Sequence, residues 1–246
     1  MPVLWERLFQ YKTGESMNEK MRYHLEEFKE MRQRAFVSAY ELNSAGKHIA
    51  GIYGVNVPAE IFRAMDIIPV DVFGIDGSNV EEAEKYMDKN DCFLMKSSFG
   101  YVIADRCPFS HFASVMVGTD FCPRKESMIH RLENIKDTYI IKEYGNLEKM
   151  IQEYKRLIEF LEQKFNVRLD EKNLADVVEK TNEECMLIRD ITDIYMGHPE
   201  IMGCDDLTEV IYGSRFIFDL GIRLEKLREM KETMIELLLP EDKISN

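Results

Sequence analysis

The sequence lacks the features of exported, membrane-spanning and nucleic-acid-binding proteins. It has no apolar run of about 18 residues, which a transmembrane helix requires, and its N-terminus has no apolar stretch typical of a cleavable signal. Basic residues are outnumbered, with 32 Lys and Arg against 45 Asp and Glu, so the net charge is -13. Because phosphate binding needs a clustered basic surface, this balance argues against a nucleic-acid partner. We therefore expect a cytoplasmic protein that binds neither membrane nor nucleic acid.

Cysteine is scarce, and its number is odd. Five cysteines in a chain of 246 residues without an export signal favour reduced thiols or metal ligands over disulfides. Two of them, Cys185 and Cys204, lie in a helical pattern, where a lone cysteine usually packs as a small hydrophobe. A glycine-rich phosphate-binding motif is also missing, because residues 51–54 lack its third glycine. The other three cysteines remain as the main candidates for chemistry.

Short apolar runs alternate with helical patterns in the first part of the chain. Residues 48–53 and 67–73 predict buried strands, and residues 58–65 between them predict a helix. A β-α-β unit of this length indicates a parallel sheet. Further strands are predicted at residues 114–117 and 137–141, and further helices at 17–43, 93–103 and 124–132. The predicted fold class is α/β, a small parallel sheet flanked by helices.

The character of the sequence changes after residue 145. Apolar residues then recur at helical spacing, and they predict long helices at residues 146–165, 171–195 and 205–239. We therefore predict an α/β domain with an N-terminal helix over residues 1–145. A long-helix C-terminal segment, 146–246, is predicted to pack on that domain or on a partner subunit.

Glycines follow several of the predicted strands. Gly54, residues 118–119 and residues 143–145 all fall at strand ends. Ligands of parallel α/β sheets bind beyond the carboxyl ends of the strands. We therefore predict the functional site at this edge of the sheet.

Three cysteines, Cys92, Cys107 and Cys122, recur at intervals of 15 residues. If their thiolates converge, they suit an iron–sulfur cluster whose fourth iron stays open to act as a Lewis acid. Zinc is an alternative with His111 as fourth ligand. Three buried cysteines that pack as small hydrophobes are a further alternative. The spacing alone leaves these possibilities open.

Charged residues near the predicted strand ends allow two interpretations. Glu60 can serve as an acid or base, or it can simply complement the positive end of a short helix. Arg106, Arg124 and Lys125 flank the cysteines and can offset the negative charge of a cluster or a coenzyme phosphate. A solvated basic face is the alternative for these three residues.

Four segments share an order with one known family. They are residues 49–69 with Pro58-Ala59-Glu60, residues 92–100 with Cys92 and Lys96-Ser97-Ser98, residues 105–109 around Cys107, and residues 117–122 ending in Cys122. In this order they resemble the 2-hydroxyacyl-CoA dehydratase D-component family, which also includes benzoyl-CoA reductase subunits. The resemblance covers about residues 35–190. Asp66 stands where the family pattern has glycine, and Pro123-Arg124 stand where it usually has Asp-Gly.

The resemblance implies a function for each motif. It implies a [4Fe-4S] cluster whose three protein ligands are Cys92, Cys107 and Cys122, with an open iron for a CoA-thioester substrate. It further implies a lyase or reductase component and an ATP-dependent activator as electron donor. From its position after the first predicted strand, we predict Glu60 as the catalytic carboxylate. The residues expected to contact the acyl-CoA substrate are Lys96, Ser97, Ser98 and Arg124.

Members of this family carry a second α/β domain after the helical segment, whereas this sequence ends at Asn246. We therefore expect half of a dehydratase or reductase subunit, completed by another subunit or a second copy in a homo- or hetero-oligomer. One alternative is a non-catalytic cluster carrier, electron-transfer protein or assembly partner. Another is an α/β interaction domain that binds no cluster.

Overall fold

A computed structural model describes residues 19–142 and 145–238. Its strands are β1 His48–Tyr53, β2 Ile67–Asp71, β3 Val115–Thr119 and β4 Thr138–Ile141. Its helices are α1 Glu19–Ser44, α2 Ala59–Ala64, α3 Val80–Ala83, α4 Phe93–Ile103, α5 Pro108–Phe112, α6 Pro123–Leu132, α7 Leu147–Phe165, α8 Glu171–Gly197, α9 Cys204–Gly213 and α10 Leu220–Leu238. Residues 143 and 144 of the predicted strand-end set lie outside the described residues.

The strands form one parallel sheet in the order β2-β1-β3-β4. The predicted fold class, a small parallel sheet with helices and long helices after it, is confirmed. All five residues of β3 are buried, as expected for a central strand covered on both faces. From β1 the chain passes to β2 on one side and later reaches β3 on the other. The carboxyl ends of β1 and β3 therefore flank the switch point where such sheets bind ligands.

Helices α2 and α7 cover one face of the sheet. Helix α7 begins where the Asn146 side chain accepts a hydrogen bond from the Lys149 amide at 3.1 Å. Its buried residues Leu157 and Leu161 are one turn apart, and they pack on the core formed by the sheet and α2. The helix ends at Asn166, whose φ of 52° is left-handed.

Helix α6 covers the opposite face at Gly118. A Cβ atom at this position would lie 2.4 Å from Cδ1 of Ile129 on α6, so a larger residue would force the Ile129 side chain to shift. The same Cβ position is 3.4 Å from the Cβ of Tyr53, which pairs with Gly118 across β1 and β3. Tyr53 therefore projects from the sheet on the face covered by α6.

The chain contains two compact units. One is Phe36–Val178, which contains the sheet, and the other comprises described residues 19–35 and 179–238. These boundaries differ from the predicted division into 1–145 and 146–246, because the stripe of α7 is buried against the sheet. The predicted division follows the change in sequence character and stays a prediction.

The predicted single helix over residues 205–239 is wrong. Its described part is two helices, α9 and α10, separated by the 3-10 turn Ser214–Phe216. Asp219 starts the second helix, because its carboxylate accepts a hydrogen bond from the Ile222 amide at 3.0 Å. The buried Arg223 guanidinium donates to the Ile217 carbonyl at 2.7 Å and to Glu184 at 2.8 Å, which fixes the break.

None of the described helices combines the length and the apolar character needed to cross a membrane.

Alkaline pH is expected to weaken the sheet unit through Tyr139. Its hydroxyl lies 3.3 Å from Glu153 of α7, and burial, followed by that carboxylate, raises the pKa from 10.0 to about 12. The unfolded tyrosine ionises first, so this contribution is complete below pH 10 and is lost as the pH rises through the folded pKa. Urea unfolding at about pH 9 and about pH 11 should show a smaller decline in the free energy of unfolding for Tyr139→Phe than for wild type. Equal declines would contradict the assignment.

Candidate cysteine site

Each of the three predicted cysteines immediately precedes a helix. Cys92 precedes α4, Cys107 precedes α5 and Cys122 precedes α6. Each carbonyl accepts a hydrogen bond from the amide four residues later at 2.9–3.0 Å, whereas no thiol makes a capping hydrogen bond. Cys107 and Cys122 are half-buried, and Cys92 is exposed. The cysteine carbonyls thus take part in the helices, whereas the thiols are not used as helix caps.

An ion pair joins two of the cysteine segments. Arg124, two residues after Cys122, pairs with Asp91, the residue before Cys92. The Asp91 side chain is only 11% exposed, so the pair lies partly away from water. The predicted substrate residue Arg124 therefore has a partner within the chain, and it holds the starts of α4 and α6 together.

A left-handed turn leads into Cys107. Asp105 has a φ of 50°, and the amide of Arg106 bonds the Tyr101 carbonyl at 3.0 Å, which ends α4 in a Schellman motif. The Asp105 carboxylate also lies 2.8 Å from Nδ1 of His111, which is exposed. His111 is thus held by a carboxylate on the turn.

Tyr53 at the end of β1 is a functional candidate that the sequence analysis missed. It is completely buried, and its hydroxyl has no hydrogen-bond partner among the residues that the structure describes. Burial raises the pKa of Tyr53, and the negative charge of the Cys107 thiolate raises it further, so the two groups interact. The only signal in the sequence is a tyrosine directly before the strand-end glycine, Gly54.

A buried ammonium lies between the ends of β1 and β3. Lys125, three residues after Cys122, is 7% exposed and donates to the Thr119 hydroxyl at 2.8 Å. A Cβ at Gly54 would lie 3.3 Å from the Lys125 Nζ, and Gly54 has a φ of 110°. Glycine thus permits both the strand-end turn and the approach of the positive charge.

The predicted substrate residues on α4 are buried, and each makes hydrogen bonds within the chain. The Lys96 ammonium donates to Glu84 and to the Lys89 carbonyl, both at 2.7 Å. Ser97 donates to the Asp76 carbonyl. Ser98 accepts from the Gly74 amide at 3.0 Å. These contacts fix α4 against the segment between β2 and α4, and substrate binding by these residues stays a prediction.

Glu60 lies in the first turn of α2, half-buried and shortly after the end of β1. Within the described part of the chain, no hydrogen bond or ion pair holds its carboxylate. A catalytic role for Glu60 stays a prediction, and the carboxylate is available for it. The remaining cysteines, Cys185 and Cys204, are exposed, so the expectation that they pack as small hydrophobes is wrong.

A compact set of metal-ligating atoms occurs in the helical unit. Among the described residues, one group has its ligand atoms within 4.8 Å of one another, namely His24, Glu27 and Glu229. The Lys226 ammonium lies 3.0 Å from each of the two carboxylates, and these hydrogen bonds raise its pKa. This arrangement is therefore an ion-pair network.

The three cysteine sulfurs form no such tight group among the described residues. A single zinc ion places its ligands about 2.0–2.3 Å from the metal, which requires close sulfurs, and the zinc alternative with His111 is not supported. A cubane carries each thiolate on a different iron, so its ligands stand further apart.

The parallel sheet and its switch point define an α/β protein whose ligand-binding edge lies at the carboxyl ends of β1 and β3. Residues 54–244 match the family 2-hydroxyglutaryl-CoA dehydratase, D-component, and the chain belongs to this family. The predicted family resemblance is confirmed. A relative in Escherichia coli (strain K12), named "Putative dehydratase subunit YjiM", is 27% identical over 211 residues. The match covers 83% of this chain and 55% of that protein, so the chain spans about half the length of this curated relative.

Proposed function

We propose that this chain binds a [4Fe-4S] cluster through Cys92, Cys107 and Cys122 and acts on a CoA thioester as one component of a dehydratase or reductase complex. The observation that carries the proposal is the fully buried hydroxyl of Tyr53 at the end of β1, which has no hydrogen-bond partner among the described residues. Because ligands of such sheets bind at the carboxyl ends of the strands, an unpaired donor at the end of β1 suits an acceptor on a bound group.

The residues around the cysteines suit an anionic iron–sulfur group. Thiolates are the preferred protein ligands of such clusters. Helices α4 and α6 direct their positive ends toward Cys92 and Cys122, and the buried Lys125 ammonium adds a full positive charge. The Arg124 and Asp91 pair keeps two of the three cysteine segments together.

Bound in this site, the cluster supplies a Lewis-acidic iron and one-electron chemistry. The chain itself supplies the groups around it. The Glu60 carboxylate has no hydrogen bond or ion pair to any described residue, and we assign it the transfer of a proton to or from the substrate. Lys125 stabilises negative charge that develops on the acyl group or on the cluster.

An apolar surface surrounds the strand ends and the cysteines. Val55 follows β1, Ile75 follows β2, Phe93 follows Cys92 and Phe121 precedes Cys122, and these four side chains are 54–78% exposed. Exposed apolar groups concentrated at one site mark an interaction surface. We assign this surface to a partner subunit of the complex, which covers the site and excludes water from it. An ATP-dependent activator would deliver the electron.

The function is tested by anaerobic reconstitution with iron and sulfide, followed by calorimetry with a 2-hydroxyacyl-CoA. We expect about four iron and four sulfide per chain, and thioester binding that is stronger with the cluster than without it. If the chain takes up no iron or sulfide, the alternative of an α/β interaction domain without a cluster is favoured. A loaded chain that binds no thioester, alone or with its partner subunit, would instead be a cluster carrier.

A further inference from the structure

Packing alone does not explain why residue 53 carries a hydroxyl group. Its ring packs edge-on against Phe73, with ring centroids 5.5 Å apart, and a phenylalanine could make the same contact. The hydroxyl adds a buried polar group with no partner among the described residues. A buried donor left unpaired destabilises a fold, so the hydroxyl has a cost in the cluster-free chain.

The surroundings of Tyr53 indicate what it contacts. It is the last residue of β1, next to Gly118 of β3, and it projects on the face covered by α6, which Cys122 precedes. Burial raises the pKa of Tyr53, and a smaller contribution comes from Cys107, a second predicted ligand. The Tyr53 hydroxyl is therefore a candidate donor to a sulfur acceptor bound at this edge of the sheet.

We propose that Tyr53 is a positioning residue that donates its hydrogen bond to a sulfur of the cluster on the Cys107 side. This inference rests on the proposed cluster and adds a residue to it. Hydrogen bonds to cluster sulfurs stabilise the reduced, more negative state, so Tyr53 raises the reduction potential and slows the release of iron. Tyr53 lies outside the three cysteine motifs, and it donates a hydrogen bond without binding an iron.

The test compares Tyr53→Phe with Tyr101→Phe. The Tyr101 hydroxyl also lies in the field of Cys107, but it donates to Asp76 at 2.5 Å. In the cluster-free chain, Tyr53→Phe should raise the midpoint of thermal unfolding, because it removes the unpaired hydroxyl, whereas Tyr101→Phe should lower it. In the loaded chain, Tyr53→Phe should shift the reduction potential to a lower value and speed iron loss to a chelator about tenfold. Tyr101→Phe should leave both quantities near wild type.

Each outcome is decisive. An unchanged potential and iron-release rate in loaded Tyr53→Phe would overturn the role of Tyr53 and leave the proposed cluster intact. A lower unfolding midpoint in cluster-free Tyr53→Phe would show that the hydroxyl has a partner within the chain, which also overturns it. Failure of the wild-type chain to bind iron would reject the proposed function, and the inference with it.

Discussion

Replacing Cys107 with serine is expected to abolish stable cluster binding while leaving the fold intact. Cys107 occupies the position before α5, where its backbone accepts the first helical hydrogen bond. Serine is a favoured residue at this position, so the substitution should not weaken the helix. Its hydroxyl does not replace a thiolate as an iron ligand, because thiolates are the soft donors that hold such clusters. We expect the bound iron to fall more than about tenfold, the scale on which changes around metal ligands act.

Iron and sulfide analysis after anaerobic reconstitution measures this effect, and the free energy of unfolding of the cluster-free chain checks the fold. Cys204→Ser is the matched control, because Cys204 is also at the start of a helix but is exposed in the helical unit. It should bind the cluster like wild type. Undiminished iron in Cys107→Ser would reject Cys107 as a ligand. Undiminished iron in Cys92→Ser alone would remove only that exposed cysteine from the ligand set.

Gly100→Ala is expected to destabilise the sheet unit by about 1–3 kcal/mol, the range for overpacking a buried position. Gly100 is buried in α4, and a Cβ there would lie 2.0 Å from the backbone oxygen of Asn79. The Cβ position is fixed by the backbone of α4 and the Asn79 oxygen is a backbone atom, so a rotamer change cannot relieve the clash. Helix α4 has to move away from the loop, and it carries the segment of Cys92 with it.

Urea unfolding followed by circular dichroism measures this change. Gly197→Ala provides the matched control, because a Cβ at Gly197 would have nothing within 4 Å and its φ is not positive. Replacing a helical glycine with alanine should leave stability unchanged or raise it by about 0.4–1 kcal/mol. If Gly100→Ala unfolds at the wild-type urea concentration, the close packing of α4 on the loop is not a determinant of stability.

Local pattern was sufficient for elements that are short and bounded by clear signals. The predicted strand at 48–53 and helix at 93–103 match β1 and α4 residue for residue. The break between α9 and α10 was missed because helical periodicity continues through it. It depends on Asp219 as a helix cap and on the buried pair of Arg223 and Glu184, which are distant in sequence. Periodicity cannot reveal a break that is made by a long-range contact.

The candidate site was predictable to the extent that its residues fall in ordered motifs. The family and the cysteine segments could be found from the sequence, since each motif includes its own cysteine. The hydrogen bonds of the buried Lys96, Ser97 and Ser98 could not be predicted, because their partners lie in the segment between β2 and α4. The state of the Tyr53 hydroxyl could not be predicted either. Only the packing around it shows that it is buried without a hydrogen-bond partner among the described residues. Sequence identifies the chemical groups, and packing decides which of them are already engaged.

The ion pair between Asp91 and Arg124 also bears on the assembly of the site. It joins two segments separated by 33 residues of chain, so ordering these segments relative to each other occurs when the protein folds. A group that binds between them then meets a partly preorganised pair of thiols and loses less conformational freedom of the chain. Because Arg124 is largely exposed, dissolved salt screens the pair and weakens this advantage. If the proposed cluster binds between these segments, its uptake should therefore depend on ionic strength through this ion pair.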